Sequence, residues 1–114
     1  MNISYEDPNE SLRRIAIDGR MDITGTEQIA TQFTALAASG NRRVIVDLSA
    51  VSFLASIGIR ALITAAKSVQ QRGGRMVLLV GGNETVKTTL SVTGIDAILP
   101  MFSDAAEAEA AVVA

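Results

Sequence analysis

Two runs, Val44-Ile45-Val46-Asp47-Leu48 and Met76-Val77-Leu78-Leu79-Val80, are apolar at every position except Asp47. A strand that shows one face to water alternates apolar and polar residues, so unbroken runs like these belong in a sheet buried on both faces. Each is followed by helix signals. After the first, Ile59, Leu62, Ile63, Ala66 and Val69 recur at helical intervals until Gly73-Gly74 stops them. After the second, Asn83 caps a short helix carrying Val86 and Leu90. Strands alternating with helices in this way predict an α/β domain with a largely parallel sheet.

The rest of the chain extends that pattern. Residues 3–5 and 12–17 read as two strands joined by a turn at Asp7-Pro8-Asn9. In the second strand Leu12, Arg14 and Ala16 alternate with Arg13, Ile15 and Ile17. Thr24 followed three residues later by Glu27 has capping-box spacing, and Ile29, Phe33, Leu36 and Ala37 continue a helix that Ser39-Gly40-Asn41 ends. Residues 98–101 read as an edge strand, a position that tolerates Pro100, and Asp104 with Glu107 opens a last, Ala-rich helix. The expected order is β-β-α-β-α-β-α-β-α. It forms one domain over residues 1–114, with a mixed, mostly parallel β-sheet and helices packed on it.

Composition narrows the chemistry. The chain has neither Cys nor His, which excludes thiol nucleophiles, disulfides, His-based triads and the common zinc motifs. With 10 Lys+Arg against 12 Asp+Glu, the formal charge of −2 supplies no field to recruit nucleic acid or a membrane. Its four aromatic residues, Tyr5, Phe33, Phe53 and Phe102, are too few for a base-stacking platform. The first residues have no basic and apolar leader pattern, and no apolar stretch approaches the ~18 residues of a membrane span. A cytoplasmic monomer without enzymatic activity, metal or cofactor is expected, one core accounting for the apolar stripes.

Four features remain as candidate sites. Gly81-Gly82, between a strand and a helix, could present backbone amides to a phosphate with Asn83 nearby, but no phosphate-loop motif surrounds them and turn and cap glycines are the better explanation. Asp18, Asp22 and Asp47 lie near strand ends, where they could share a metal or simply serve as caps. Ser56 sits before an apolar helical stripe as an N-cap, with no base to make it a nucleophile. Its neighbours Phe53-Leu54-Ala55 and Ile57-Gly58-Ile59 are apolar for a surface loop, which points to protein contact. Between Asp47 and Glu84 every charged residue is basic: Arg60, Lys67, Arg72 and Arg75. Arg60 and Lys67, seven apart, share a helix face that is either ordinary solvated surface or a rim selecting an acidic partner.

Val46-Asp47-Leu48-Ser49 and Phe53-Leu54-Ala55-Ser56-Ile57-Gly58, with Gly19-Arg20-Met21-Asp22 and Thr93-Gly94-Ile95, resemble the STAS domain family, and within it the stand-alone bacterial anti-sigma factor antagonists. The resemblance covers nearly the whole chain. It implies a protein switch: the unphosphorylated antagonist binds an anti-sigma factor that is also a serine kinase, releasing a sigma factor. The kinase then phosphorylates a Ser at the start of the second helix, and a metal-dependent serine phosphatase resets the system. Aligning Gly58 with the family's Asp-Ser-(Ser/Thr)-Gly makes Ser56 the phosphoacceptor, with Ala55 in place of the Asp and Ile57 in place of the second hydroxyl. The implied partner surface comprises Asp22, Ile23 and Thr24; Phe53, Leu54, Ala55, Ser56, Ile57 and Gly58; and Arg60, Thr64 and Lys67. The alternative from a different class is a constitutive STAS interaction scaffold in which Ser56 is only a cap.

Overall fold

The computed structural model describes residues 1–40 and 43–113, so Asn41, expected to help end the first helix, lies outside the described residues. The chain runs β1 (Asn2–Asn9), β2 (Leu12–Met21), α1 (Ile23–Ala37), β3 (Arg43–Leu54), α2 (Ser56–Gln71), β4 (Arg75–Leu79), α3 (Glu84–Val92), a 3-10 turn (Ile95–Ala97), β5 (Met101–Phe102) and α4 (Ala105–Val113). The five strands lie in sequence order across one sheet. β1 pairs antiparallel with β2, and every later pair is parallel. This is the expected element order with one 3-10 turn added.

The two faces of the sheet are covered unequally. On one, Ile15 and Ile17 of β2, Val44 and Val46 of β3 and Leu78 of β4 pack under α1, α2 and α3 through Phe33, Leu62, Val69 and Leu90. On the other, Leu12, Ile45, Val77 and Leu79 pack on Ala108 and Val112 of α4, with Phe102 and Ala105 beside them. α4 leaves the β1–β3 side of that face open. Asp47 interrupts its apolar run because it points there, where its carboxylate meets Arg14 at 3.3 Å and accepts from the Ser49 amide and hydroxyl.

The strands depart from their sequence reading in several places: β2 and β3 run on past residues 17 and 48 to Met21 and Leu54, and both edge strands change as well. β1 continues through Asp7-Pro8-Asn9, and the turn falls at Glu10-Ser11, where the Asn9 side chain accepts from the Ser11 amide and hydroxyl. Proline is tolerated because β1 is an edge strand and its ladder shifts register between Glu6 and Asn9. Asp7 accepts two hydrogen bonds from Arg13, whose guanidinium also donates to the Leu36 carbonyl and lies 4.3 Å from the Tyr5 ring centre. At the other end β5 is Met101–Phe102 rather than residues 98–101: Ile98 follows the 3-10 turn and is exposed. Pro100 needs no amide there, because only its carbonyl is used, accepting from the Leu78 amide.

The length of β3 decides where the helix after it begins. The strand pairs with β4 only as far as Asp47↔Leu79, yet stays paired with β2 as far as Met21↔Leu54. Its distal half therefore loses one neighbour, and carbonyls on that edge need other donors. Asn83 supplies them: its side-chain amide donates to the Val51 carbonyl at 2.6 Å and lies within reach of those of Leu48 and Ser49, while its Oδ1 accepts from the Val86 amide to cap α3. Replacing Asn83 with Ala removes a cap and a partly buried hydrogen bond together. The expected loss is about 2 kcal/mol by chemical denaturation, and a loss below about 0.5 kcal/mol would show that the distal half of β3 holds without this latch.

Candidate functional site

β2 ends at Met21, and the next residue turns the chain into α1. Asp22 takes extended backbone angles, and its carboxylate accepts from the Gly25 amide at 2.8 Å. The N-cap is therefore Asp22, where the sequence pattern favoured Thr24; Thr24 is an exposed residue inside the first turn. The early start is tied to Gly25, which lies so close to the end of β2 that a Cβ on it would overlap the Arg20 carbonyl oxygen. The Gly25 hydrogen bond, followed by Arg20, holds the Asp22 carboxyl below its ordinary value against an opposing desolvation.

β3 delivers α2 to the same place. The Ala55 amide donates to the Met21 carbonyl at 3.0 Å, and Ala55 is extended. Helical geometry begins one residue later, so Ser56 is the first residue of α2 and Ala55 occupies the cap position, with no side-chain acceptor to offer. The cap role expected of Ser56 is thus not realised, because the last rung of the β2–β3 ladder holds Ala55 in the strand conformation. Gly58 follows for a packing reason. A Cβ there would stand 2.8 Å from Leu54 Cδ1 and 2.9 Å from Met21 Cβ.

The two helix starts consequently lie side by side at one end of the sheet. Exposed there are Ile23 (65%), Phe53 (39%), Thr24 and Ser56, with Arg60, Thr64 and Lys67 following along α2; Asp22, Ala55 and Ile57 are half-buried. Leu54 (5%) and Gly58 are buried and cannot form contact surface, a correction to the expected partner-facing set: both face Met21 and the core and shape the site from beneath. Arg20 joins the group without having been singled out from sequence. It is the register partner of Phe53, its guanidinium lies 4.5 Å from that ring centre, and its Nε donates to Asp22 at 3.4 Å. Its position two residues before Asp22 was the available signal, but only the β2–β3 register brings it to Phe53.

The other candidates disperse. Asp22 caps α1, Asp47 pairs with Arg14 on the open sheet face, and among the described residues no three acidic side chains gather where a metal ion could be held. Both polar ends of the Asn83 side chain serve β3 and α3, which accounts for it without a phosphate. Among the described residues no helix is long and apolar enough to cross a membrane.

Two predictions test this geometry. Alanine is normally favoured over glycine in a helix by ~1 kcal/mol, yet Gly25→Ala is expected to cost about 3 kcal/mol and Gly58→Ala about 1 kcal/mol net, measured by urea unfolding, because the added methyl groups have no room. Stabilisation by either would refute the packing. For Asp22, a depressed folded pKa means its contribution is present above the ordinary carboxyl value and is lost as pH falls through the folded one. The stability gap between the wild type and Asp22→Asn should therefore be complete at neutral pH and narrow below about pH 4; a gap unchanged by acid would show that the charge contributes nothing.

The geometry has known counterparts. BtrV of Bordetella bronchiseptica, named as a proposed anti-sigma factor antagonist, is 30% identical over 95 residues, covering 83% of this chain and 81% of its own. The structure of an anti-sigma-factor antagonist (STAS) domain protein from Planctomyces limnophilus matches with a TM-score of 0.81 and 28% identity, over 98% of each chain. SpoIIAA, a Bacillus cell fate determinant solved in its phosphorylated form, shares the fold at a TM-score of 0.68 and 20% identity, over 97% of this chain and 99% of its own. The STAS domain profile spans residues 8–108, from the end of β1 into α4 and across both helix starts, and the chain belongs to the STAS domain family.

Proposed function

We infer that this protein is an anti-sigma factor antagonist. In its unphosphorylated form it binds an anti-sigma factor with serine kinase activity and so releases a sigma factor; phosphorylation of Ser56 ends the complex, and a serine phosphatase restores it. The names carried by the relatives support the general role. The observation that carries the switch is the placement of Ser56: an exposed hydroxyl on the first turn of α2, next to Ile57 and beside the exposed apolar side chains of Ile23 and Phe53.

The physical consequences run in two directions. A phosphate adds about −1.5 to −2 charge at neutral pH. At the start of α2 it meets a helix end whose cap residue supplies no acceptor, and the dipole there favours an anion, so the domain itself should accommodate the modification. Arg60, one turn further along, offers a cation for pairing. At an interface the same dianion must be desolvated beside apolar side chains and meets any acidic group on the partner. A loss of ~3 kcal/mol weakens binding more than a hundredfold. The surface proposed to touch the partner is Asp22, Ile23 and Thr24 with Phe53, Ala55, Ser56 and Ile57, continuing along α2 through Arg60, Thr64 and Lys67.

One observation favours a second reading. Ala55 stands at the cap where the family motif has a carboxylate, a difference that could set kinase recognition aside and leave a constitutive scaffold. Pull-down of the anti-sigma factor separates the two. Under the switch, Ser56→Ala binds like the wild type and Ser56→Asp loses at least tenfold in affinity, while mass spectrometry of protein from its native host finds phosphate on Ser56. Equal binding by both variants, with Ser56 unmodified under all growth conditions, would establish the scaffold instead.

A further inference from the structure

We propose that the trough between α1 and α2 seats an amphipathic helix of a partner protein, apolar where it enters the trough and acidic along the flank that faces α2. Both helices follow strands of the parallel part of the sheet and pack on the same face, so they run side by side in the same direction. Facing one another across their outer surface are Thr26, Ala30 and Thr34 of α1 and Ile57, Ala61 and Thr64 of α2, around a cavity of about 220 Å³. On α1 these residues are four apart, the spacing that builds a ridge when the side chains are large and a groove when they are small. The depression continues past Thr34 between Ala38 and Ser68. From position 26 to position 38 it is about 18 Å long, or roughly three turns of an occupying helix.

Two further observations point to an occupant. Thr26 is 1% exposed, and its hydroxyl has no hydrogen-bond partner among the described residues although it lines this cavity. A buried hydroxyl left unpaired is costly; the oxygen itself is covered, so an occupant reaches it only through a small shift of the trough wall. The charges are also one-sided. α2 carries Arg60 and Lys67 and no acid, Arg72 follows it, and none of the three is in an ion pair among the described residues. The α1 flank carries a single charge, Glu27. An occupant with acidic side chains toward α2 meets that field, and a basic one is repelled by it. This chain's own acidic helix, α4, is unavailable for the role, because its apolar residues Ala108 and Val112 are buried on the opposite face of the sheet. The occupant therefore comes from another protein.

Resting on the function proposed above, the same geometry supplies the phosphorylation effect with a target. Ser56 precedes Arg60 by one helical turn at the mouth of the trough, so a phosphate there competes for Arg60 and repels an acidic helix.

The experiment is a display selection in which this protein, immobilised, is offered a library of helix-forming peptides randomised on one face. Affinities of the enriched peptides are then measured by fluorescence anisotropy. The expected winners have apolar residues at i, i+3 or i+4 and i+7, and Asp or Glu on one flank. Binding should fall at least tenfold with Arg60→Glu/Lys67→Glu, recover when the peptide acids are changed to Lys, and fall again with Ala61→Trp, which fills the trough. Thermal melts of each variant separate lost binding from lost folding, and the two charge reversals lie on exposed positions that do not enter the core. No enriched peptide, peptides without acidic bias, or binding indifferent to both sets of variants would overturn the proposal. So would self-association of the wild type that Ala61→Trp abolishes, since a second copy would then be the occupant. Failure of the anti-sigma factor to bind while selected peptides do would refute the function and leave the trough standing. Binding of that factor unaffected by trough variants would do the reverse.

Discussion

The hydrogen bond from the Ala55 amide to the Met21 carbonyl closes the β2–β3 ladder, and the arrangement of the candidate site follows from it. Because the two strands stay paired to their last residues, the helices that follow them begin at the same level and next to each other. Asp22 and Ala55 become adjacent caps, and Gly25 and Gly58 are the positions where each helix meets the end of β2 too closely for a side chain. Had β3 ended where its pairing with β4 ends, α2 would start about seven residues earlier, ~20 Å back along the strand direction. Ser56 would then have no apolar neighbours from β3 at all.

Such an overhang requires support, because the distal half of β3 has a neighbour on one side only. Asn83 provides it from just past the end of β4, using one amide group to hold β3 carbonyls and one oxygen to start α3. The third helix is thereby coupled to the candidate site without touching it. The side chain read from sequence as a helix cap is that cap, and it is a strut for β3 as well.

Much of this was legible in the residues and some was not, for identifiable reasons. The short unbroken apolar runs and the longer stripes at helical spacing gave the element order, since length separates a five-residue buried strand from a helix where periodicity alone does not. The length of β3 was obscured because residues 49–54 alternate small, polar and apolar side chains, as a one-sided strand or a loop equally would. Cap positions shifted by one or two residues: Thr24 and Ser56 are good capping types, but tertiary pairing held Asp22 and Ala55 in extended geometry first. Leu54 and Gly58 looked like an apolar rim only because sequence proximity to Ser56 says nothing about direction. Alternation along the end of β3 turns Phe53 outward and Leu54 inward.

The electrostatics of α2 bear on how a switch at Ser56 would act. The helix begins with an uncapped end, where partial positive charge is least compensated, and its side chains add only cations along its length. An unmodified Ser56 leaves that positive surface intact for an acidic partner. A phosphate neutralises it at the end nearest the apolar residues Ile23 and Phe53, where desolvation makes the charge most costly to cover. Two thermodynamic effects, lost attraction and added desolvation, then have the same sign and arise within one helical turn. The domain needs no second conformation for this: the ladder, the strut and the close glycine contacts hold the site in place while the charge on its surface changes.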